Sequence, residues 1–583
     1  MNDNEKRLLA SATTDHAWPL VELFSTIRRE HPDDGNRAAT QLIDRLKRLG
    51  VPVKVYEPQL YLALPQGAHV DCEGRKLFAR PAPMSRPAPD GVTAPLKFVA
   101  KPVNPPPGWD PASAVVFGDN YDPAPGTPDL TGKIVVQHGM VSSERVMAVE
   151  TLGAAGIIFV NPGKYAHWGG GSYTWGTADL EDLPYKPGIP AVAVNNEDGK
   201  ALIALAEKGG SATIVTKFET GWFKSLLPVV EIPGKTEPEK FVLLHGHYDS
   251  WDVGVGDNAT GDACMFEIAR MLWTHRDQLE RSVRIAWWPG HSTGRFAGST
   301  WYVDEFGLDL GRNCLAHLNC DSPGCRDATE YSLIPWMAEN MDFVKGVVKD
   351  AAGKDAEGRR PHQSSDFSFN NLGITGFFSS SSRIPKKEIE KRGYYYVMGN
   401  GGNLEWHTDD DQMPVADKDV LLTDIKVYAL AVFRLANAAV LPWDWRALLK
   451  EFDGTLEKYQ AAAGPRFDLT PAREAVSRLD VALTHMAAGL DVGTVKAKAA
   501  NDVLLKLAHL LVPLNYTRGT RFRRDLSMPA APLTPLSIAK DLDRYPVSAM
   551  GFATTQLRRG MNQVLAALDE ARERVEDVSR SAR

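Results

Sequence analysis

Between residues 241 and 439, short apolar runs alternate with longer stretches of helical character, and no other part of the chain restricts the fold as tightly. Phe241–Leu244, Val283–Trp288, Cys314–Asn319 and Gly373–Phe378 read as buried strands, and Ala259–His275, Thr300–Phe306, Met341–Ala352 and Val420–Ala439 read as helices. Strand and helix in regular succession predict an α/β domain, a mostly parallel mixed sheet with helices on both faces. Such a sheet carries its functional loops at the C-terminal ends of its strands.

The flanking segments differ in texture. Residues 17–49 predict an amphipathic helical region broken near Pro32, with Leu20, Val21, Leu23, Phe24 and Ile27, then Ala39, Leu42, Ile43 and Leu46, on one face. A strand-like segment covers 51–61. From about Leu62 to Asp129 proline and glycine favour short strands and turns. Strands at Lys133–Gly139, Ile157–Val160 and Ile189–Val194 then alternate with helices at Ser143–Ala155 and Glu197–Lys208, a small α/β unit ending near Phe218. After residue 440 no strand is expected, only the amphipathic helices Trp443–Ala463, Ala472–Ala488, Val495–Leu511 and Thr554–Val578. The division is therefore 1–61, 62–218, 219–440 and 441–583.

Composition excludes several function classes. Lys+Arg total 66 against 73 Asp+Glu, a net charge of −7, so the chain lacks the basic excess that nucleic acid demands. No apolar run approaches the ~20 residues that span a bilayer. The charged N-terminus is unlike a secretory signal, and five cysteines without a CxxC make no disulfide framework. A reduced, cytoplasmic protein is the expectation.

Polar residues gather just past the predicted strand ends. Phe241–Leu244 runs into His245-Gly-His247-Tyr-Asp249, and Asp257-Asn-Ala-Thr-Gly261 opens the next helix. Val283–Trp288 runs into Gly290-His291-Ser292, Cys314–Asn319 into Asp321, and His407 precedes the last helix of the domain. His247, Asp257, Asp321 and His407 offer two nitrogen and two oxygen donors, a set that suits zinc or a similar divalent cation. Asp249 is placed to hold the other nitrogen of the His247 ring and fix its tautomer.

These motifs resemble the co-catalytic zinc aminopeptidases: H-x-D followed by a D-N-A-x-G loop. The stretch His247-Tyr-Asp249-Ser250-Trp251 is nearest the branch that contains glutamate carboxypeptidase II and the transferrin receptor. The resemblance covers almost the whole chain. It implies a protease-associated domain over 62–218, with KIVVQHG, a helix and GAAGIIFVNP, and a C-terminal helical dimerisation domain that would make a homodimer. It further implies that His247 and Asp321 serve a first metal, that Asp257 bridges two metals, that His407 serves the second, and that Asp249 is the supporting carboxylate. Ser364-Ser365-Asp366 is similar to the stretch ahead of the substrate-binding loops.

One departure stands against these matches. The family carries a Glu-Glu pair in a context like G-E-E-x-G-x-x-G-S, where this chain reads Gly290-His291-Ser292-Thr293-Gly294-Arg295-Phe296-Ala297-Gly298-Ser299. By that resemblance His291 replaces the general base and Ser292 the carboxylate ligand of the second metal. Loss of that carboxylate removes both a ligand and a neutralising charge, so one or two ions, most simply zinc, remain open. His291 retains the capacity to take a proton near neutral pH or to turn onto the metal.

Three readings follow. The first is a metal-dependent hydrolase of an amide or related C–N bond in a small molecule, with His291 as base. The second is a repurposed mononuclear metal enzyme, a lyase, decarboxylase or redox enzyme, with His291 as ligand. The third is a non-catalytic scaffold of the same fold. Arg295 and Arg383 are candidates to receive a substrate carboxylate, and Tyr396 and Asn403 to line the pocket. The Gly-rich loop Trp168–Gly176 reads equally as a lid from the inserted domain or as a plain surface loop.

Overall fold

The computed structural model describes residues 1–102, 128–362, 365–527, 530–545 and 547–581. Ser364 of the substrate-loop motif lies outside the described residues, as does part of the 62–129 segment.

The central sheet has six strands: β1 (Val53–Tyr56), β2 (Leu227–Ile232), β3 (Glu237–His247), β4 (Arg281–Trp288), β5 (Cys314–Asn319) and β6 (Thr375–Phe377). They lie in the order β1-β2-β4-β3-β5-β6. The contacts β4·β3, β3·β5 and β5·β6 are parallel, while β1 and β2 add an antiparallel edge. The chain passes from β3 to β4 on one side, then crosses back to β5 on the other. The C-terminal end of β3 is therefore the point where strand order reverses, the place where open α/β sheets hold their ligands. His247 ends β3, paired with Trp288 at the end of β4.

Helices α1 (Thr260–Thr274), α2 (Ala297–Asn313), α3 (Met341–Ala352) and α4 (Lys418–Asn437) cover the sheet. Helix α2 runs well beyond the predicted Thr300–Phe306, and β6 is shorter than its apolar run. At its centre a Cβ on Gly376 would stand 2.2 Å from His317 Nε2, so only glycine fits there. The N-terminal helices Trp18–Phe24 and Pro32–Arg48 bury Leu20, Val21, Phe24, Ala39, Leu42 and Leu46 against the same core, as their spacing predicts.

Seven strands between Gln59 and Lys224 form a closed barrel inserted between β1 and β2. Its strands are not uniformly short, contrary to expectation: Gln59–Cys72 and Ser211–Lys224 pair along almost their whole lengths, and Ala88–Phe98 joins them. The prolines are tolerated because the ladder slips there, with a register shift between Pro65 and Gly67. Beyond α4 the helices Trp445–Ala463, Thr470–Asp491, Ala497–Tyr516 and Met550–Ser581 complete a helical region whose core is continuous with that of the sheet. Among the described residues no helix is long and apolar enough to cross a membrane.

Candidate metal centre

The loop after β3 is pinned from beneath by Arg29, which follows the first N-terminal helix. Its buried guanidinium donates to the carbonyls of Tyr248, Phe24, Val253 and Gly254. Asn258 ties three loops together: its Nδ2 donates to the carbonyls of His247 and Cys320, each at 3.1 Å, and its Oδ1 accepts from Ser322 N at 2.9 Å. Gly261 is required beside it, since a Cβ there would fall 2.3 Å from Asn258 Oδ1. Asp411 accepts from the main-chain N–H groups of Gly256 and Asp257 at 2.8 and 3.1 Å, and burial pushes its carboxyl up to about 7.

Two imidazoles converge on one carboxylate. His247 Nε2 lies 3.1 Å from Asp257 Oδ1, and His407 Nε2 lies 3.1 Å from Asp257 Oδ2. Each ring has its Nδ1 beside a main-chain carbonyl, of Asp249 at 2.9 Å for His247 and of Trp168 at 2.8 Å for His407. A carbonyl only accepts, so each Nδ1 carries the proton and each Nε2 presents a lone pair to a carboxylate oxygen. Lone pair against lone pair is stable only with a proton or a cation between them. His247 Nε2 is buried and makes no hydrogen bond, although Asp321 Oδ2 also lies 3.7 Å away. Ligand atoms about 2.0–2.1 Å from a tetrahedral zinc stand roughly 3.3 Å apart, so these spacings fit a divalent cation. Without one, burial would lower the His247 pKa, but Asp257 and Asp321 overcome it and hold the ring well above its usual range. Burial would likewise raise Asp257, but the two imidazoles hold it well below the usual carboxylate range.

His291 completes the cluster. Its ring stacks on that of His247 with centroids 3.8 Å apart, and ligand atoms of His247, His291 and Asp321 all lie within 4.8 Å of one another. His291 Nδ1 is 2.8 Å from Asp366 Oδ2, so Nε2 is left for the cluster. Asp366 is fully buried, and its other oxygen accepts from Ser299 Oγ at 2.6 Å. Burial opposes ionisation of Asp366, yet His291 and its neighbours bring the pKa down to about 2. The sequence marks Asp366 only as part of a substrate-loop motif. Its pairing with His291 joins residues far apart in the chain, and no local pattern announces it.

Asp249 differs from expectation. Its main-chain carbonyl, not its carboxylate, holds His247 Nδ1, the nearer carboxylate oxygen being 3.9 Å away. The carboxylate instead accepts from His291 N at 2.9 Å and Ser292 N at 2.8 Å, which fixes the turn after β4. The reason is geometric: a strand-end ring folds back onto its own main chain, while the side chain at position 249 points across to the neighbouring strand.

The Gly-rich loop of the inserted barrel docks on this centre. Trp168 N donates to His407 O at 2.9 Å, and the Trp168 ring stacks on Trp251 at 4.9 Å. Farther along, Gly176 N donates to Arg295 O and Ser527 N to Tyr173 O, so the loop is no plain surface feature. Arg383 and Asn403 are engaged by main-chain and side-chain partners of their own loop region. Arg383 donates to the carbonyls of Val397 and Met398, and Asn403 bonds to Arg326 and Asn400, so both shape the 397–403 loop. Tyr396 is 54% exposed and stacks under Arg383, whereas Tyr395 reaches His167 of the barrel at 2.8 Å and packs that interface.

Comparison with known proteins gives a consistent placement. The profile of Peptidase family M28 matches residues 229–431, and that of the PA domain matches 93–202. The probable leucine aminopeptidase 2 of Arthroderma benhamiae is 31% identical over 372 residues, covering 59% of this chain and 70% of that protein. The probable glutamate carboxypeptidase VP8 of Zea mays is 25% identical over 312 residues, covering 51% of this chain and 40% of that protein. The chain thus spans about two fifths of the length of the glutamate carboxypeptidases it matches. Among solved structures, the zinc aminopeptidase BSAP of Bacillus subtilis superposes with TM-score 0.53 at 20% identity, over 73% of this chain and 96% of that one. A Peptidase M28 precursor from Shewanella amazonensis gives 0.54 at 19%, over 75% and 98%. At these identities the two structures speak to the fold alone.

Proposed function

This chain belongs to Peptidase family M28, with a PA domain set into it, and from that premise we propose that it is a metal-dependent hydrolase of an amide or related C–N bond in a small molecule, with His291 as general base. The observation that carries the reading is the His291–Asp366 pair, whose free Nε2 looks into the cluster of His247 and Asp321. In this reading His247, Asp257 and Asp321 would hold a divalent cation, zinc by the family's habit, which polarises a scissile carbonyl and acidifies water when bound. Asp366 keeps the proton on His291 Nδ1, so Nε2 is free to take a proton from the attacking water and return it to the departing nitrogen. The Asp249 carboxylate holds the turn that presents the ring. Trp168, Trp251 and Trp406 wall the His407 side and exclude bulk water.

The grouping of His291 with His247 and Asp321 favours a second reading, in which His291 is itself a ligand of a single ion. One experiment separates the two: elemental analysis of wild type and His291→Ala, alongside hydrolysis of a panel of dipeptides, aminoacyl anilides and N-acyl amino acids. Metal retained with turnover lost supports a base, and metal lost supports a ligand. A wild-type protein that holds no stoichiometric metal and cleaves no member of the panel refutes both. The homodimer expected through the helices after residue 440 is part of the proposal and is tested by light scattering.

A further inference from the structure

Arg295 lies in the same turn as His291. Phe296 N donates to His291 O at 3.0 Å, and the Phe296 ring stands edge-on to the His291 ring at 4.8 Å. The Arg295 Cζ is 4.7 Å from that same Phe296 centroid, so guanidinium and imidazole both lie against one aromatic ring. From the other side the inserted domain closes over it: a Cβ at Gly170 would touch Arg295 Cδ and Nη1 at 3.4 and 3.5 Å, two residues from the Trp168 that holds His407.

The other buried arginines are spoken for. Arg284 faces Glu231 and Asp309, Arg281 faces Glu237, Arg80 faces Asp252 and Asp409, Arg29 donates to a ring of main-chain carbonyls, and Arg383 to those of Val397 and Met398. Arg295 has two hydroxyls only: Nη2 donates to Ser143 Oγ at 3.2 Å and Ser527 Oγ at 3.1 Å. Its buried Nε has no partner, and among the described residues no carboxylate pairs with it. Burial without a counter-charge brings its pKa down to about 10. Hydroxyls orient a guanidinium without neutralising it. A side chain needed only to brace the domain contact would be better served by a neutral group.

We propose that Arg295 is the recognition point for a carboxylate on the substrate, so that the enzyme acts on a C–N bond of a small acid. The planar fork suits that group, and its serine anchors hold it ready. The substrate class rests on the hydrolase reading above; the anion site itself does not. The test is calorimetric titration of the full-length, zinc-reconstituted protein with N-acetyl derivatives of glycine, alanine, phenylalanine and glutamate, each as the acid and as its carboxamide. In wild type the acids should bind at least ~10-fold tighter than their amides, as expected of a charge-assisted pair. Arg295→Gln should erase that preference while leaving amide affinity and zinc content unchanged, and Arg295→Lys should keep part of it. Equal binding of acid and amide by wild type, or no binding of either, overturns the proposal. So does a preference that survives in Arg295→Gln, because the anion would then sit on the metal. Acid preference without turnover would refute the hydrolase and leave the anion site standing; turnover of neutral substrates without acid preference would do the reverse.

Discussion

Asp366→Asn offers the sharpest probe of the centre, because it removes one charge from a buried pair and leaves the volume unchanged. In the native arrangement His291 Nδ1 donates to Asp366 Oδ2 at 2.8 Å and Ser299 Oγ donates to Oδ1 at 2.6 Å. A hydrogen bond to a charged partner contributes about 1.5–3 kcal/mol net against ~0.5–1.5 for a neutral one, so losing the charge alone costs about 1–1.5 kcal/mol, ~5–10-fold in the population of the competent ring. The asparagine can do worse. If its amide N–H faces the ring, Nδ1 must accept, the proton moves to Nε2, and no lone pair remains toward the cluster. The general-base contribution, ~10²–10⁴-fold, is then lost outright. Steady-state kinetics on the best panel substrate should therefore show kcat reduced by ~10²–10⁴, with KM changed far less. Parallel metal titration identifies the role of the ring. Undiminished zinc affinity marks a base, and a ~10–100-fold loss of affinity, with turnover rescued by added zinc, marks a ligand held by its carboxylate. If kcat and zinc affinity both stay within about threefold of wild type, the pair has no part in catalysis and the argument from its geometry fails.

Three further outcomes are expected. His247→Ala should leave less than about a tenth of the wild-type zinc by elemental analysis, and full retention would remove His247 from the centre. The double change His291→Glu, Ser292→Glu should raise the zinc content by one ion per chain at saturating metal; an unchanged stoichiometry would show that these positions do not face the second site. Glu339 is fully buried, with Thr375 donating to one oxygen and the other unpartnered, and burial raises its pKa to about 7. The unfolded carboxyl titrates near ~4.3, so folded protein keeps a proton that unfolded chain releases, and stability present below that pH is lost as pH rises through 7. Glu339→Gln should therefore flatten the fall in Tm between pH 5 and pH 8, an effect on the order of 3 kcal/mol at its upper limit. A fall identical to wild type would show that Glu339 ionises freely.

The sheet was legible because its strands are buried on both faces while helices such as α3 bury one, which writes two different periods into the chain, although α1 is buried almost all round. Phe241, Val242, Leu243 and Leu244 are all buried, as a central parallel strand requires. The barrel was harder to read, since Pro65, Pro89 and Pro95 look like breaks but sit within long, irregular ladders. The loops past the strand ends led to His247, Asp257, Asp321 and His407, whose side chains the structure brings within hydrogen-bonding or ion-pair reach of a neighbour in the group. What the sequence withheld were partnerships between distant loops: Asp366 with His291, Arg29 under residues 248–254, and Trp168 behind His407. Each is made by a main-chain carbonyl or a buried pair whose members are separated by long stretches of chain, and residue type alone does not encode them. Asp249 shows the converse case, where the residue was found and its atoms exchanged roles.

The number of cations the centre can hold follows from what each oxygen of Asp257 already does. Oδ1 faces His247 Nε2, and His247, His291 and Asp321 bring ligand atoms within 4.8 Å of one another, so donors gather on that side. Oδ2 faces His407 Nε2, but it also accepts from the Trp406 indole N–H at 2.8 Å. One of its two lone pairs is therefore taken. With Ser292 where the proposal puts the missing carboxylate, a second cation beside His407 would find one imidazole and one shared oxygen. A neutral hydroxyl is a poor ligand for zinc beside thiolate, imidazole or carboxylate. The same indole that occupies Oδ2 stacks on His407 at 3.7 Å and fixes the ring, whose Nδ1 is held by Trp168. His407 is thus held by two tryptophan contacts in a fixed orientation. If His291 and Ser292 stand where the family has its carboxylates, as the proposal holds, the position beside His247 and Asp321 would be the stronger one, and His407 would act beside it through Asp257.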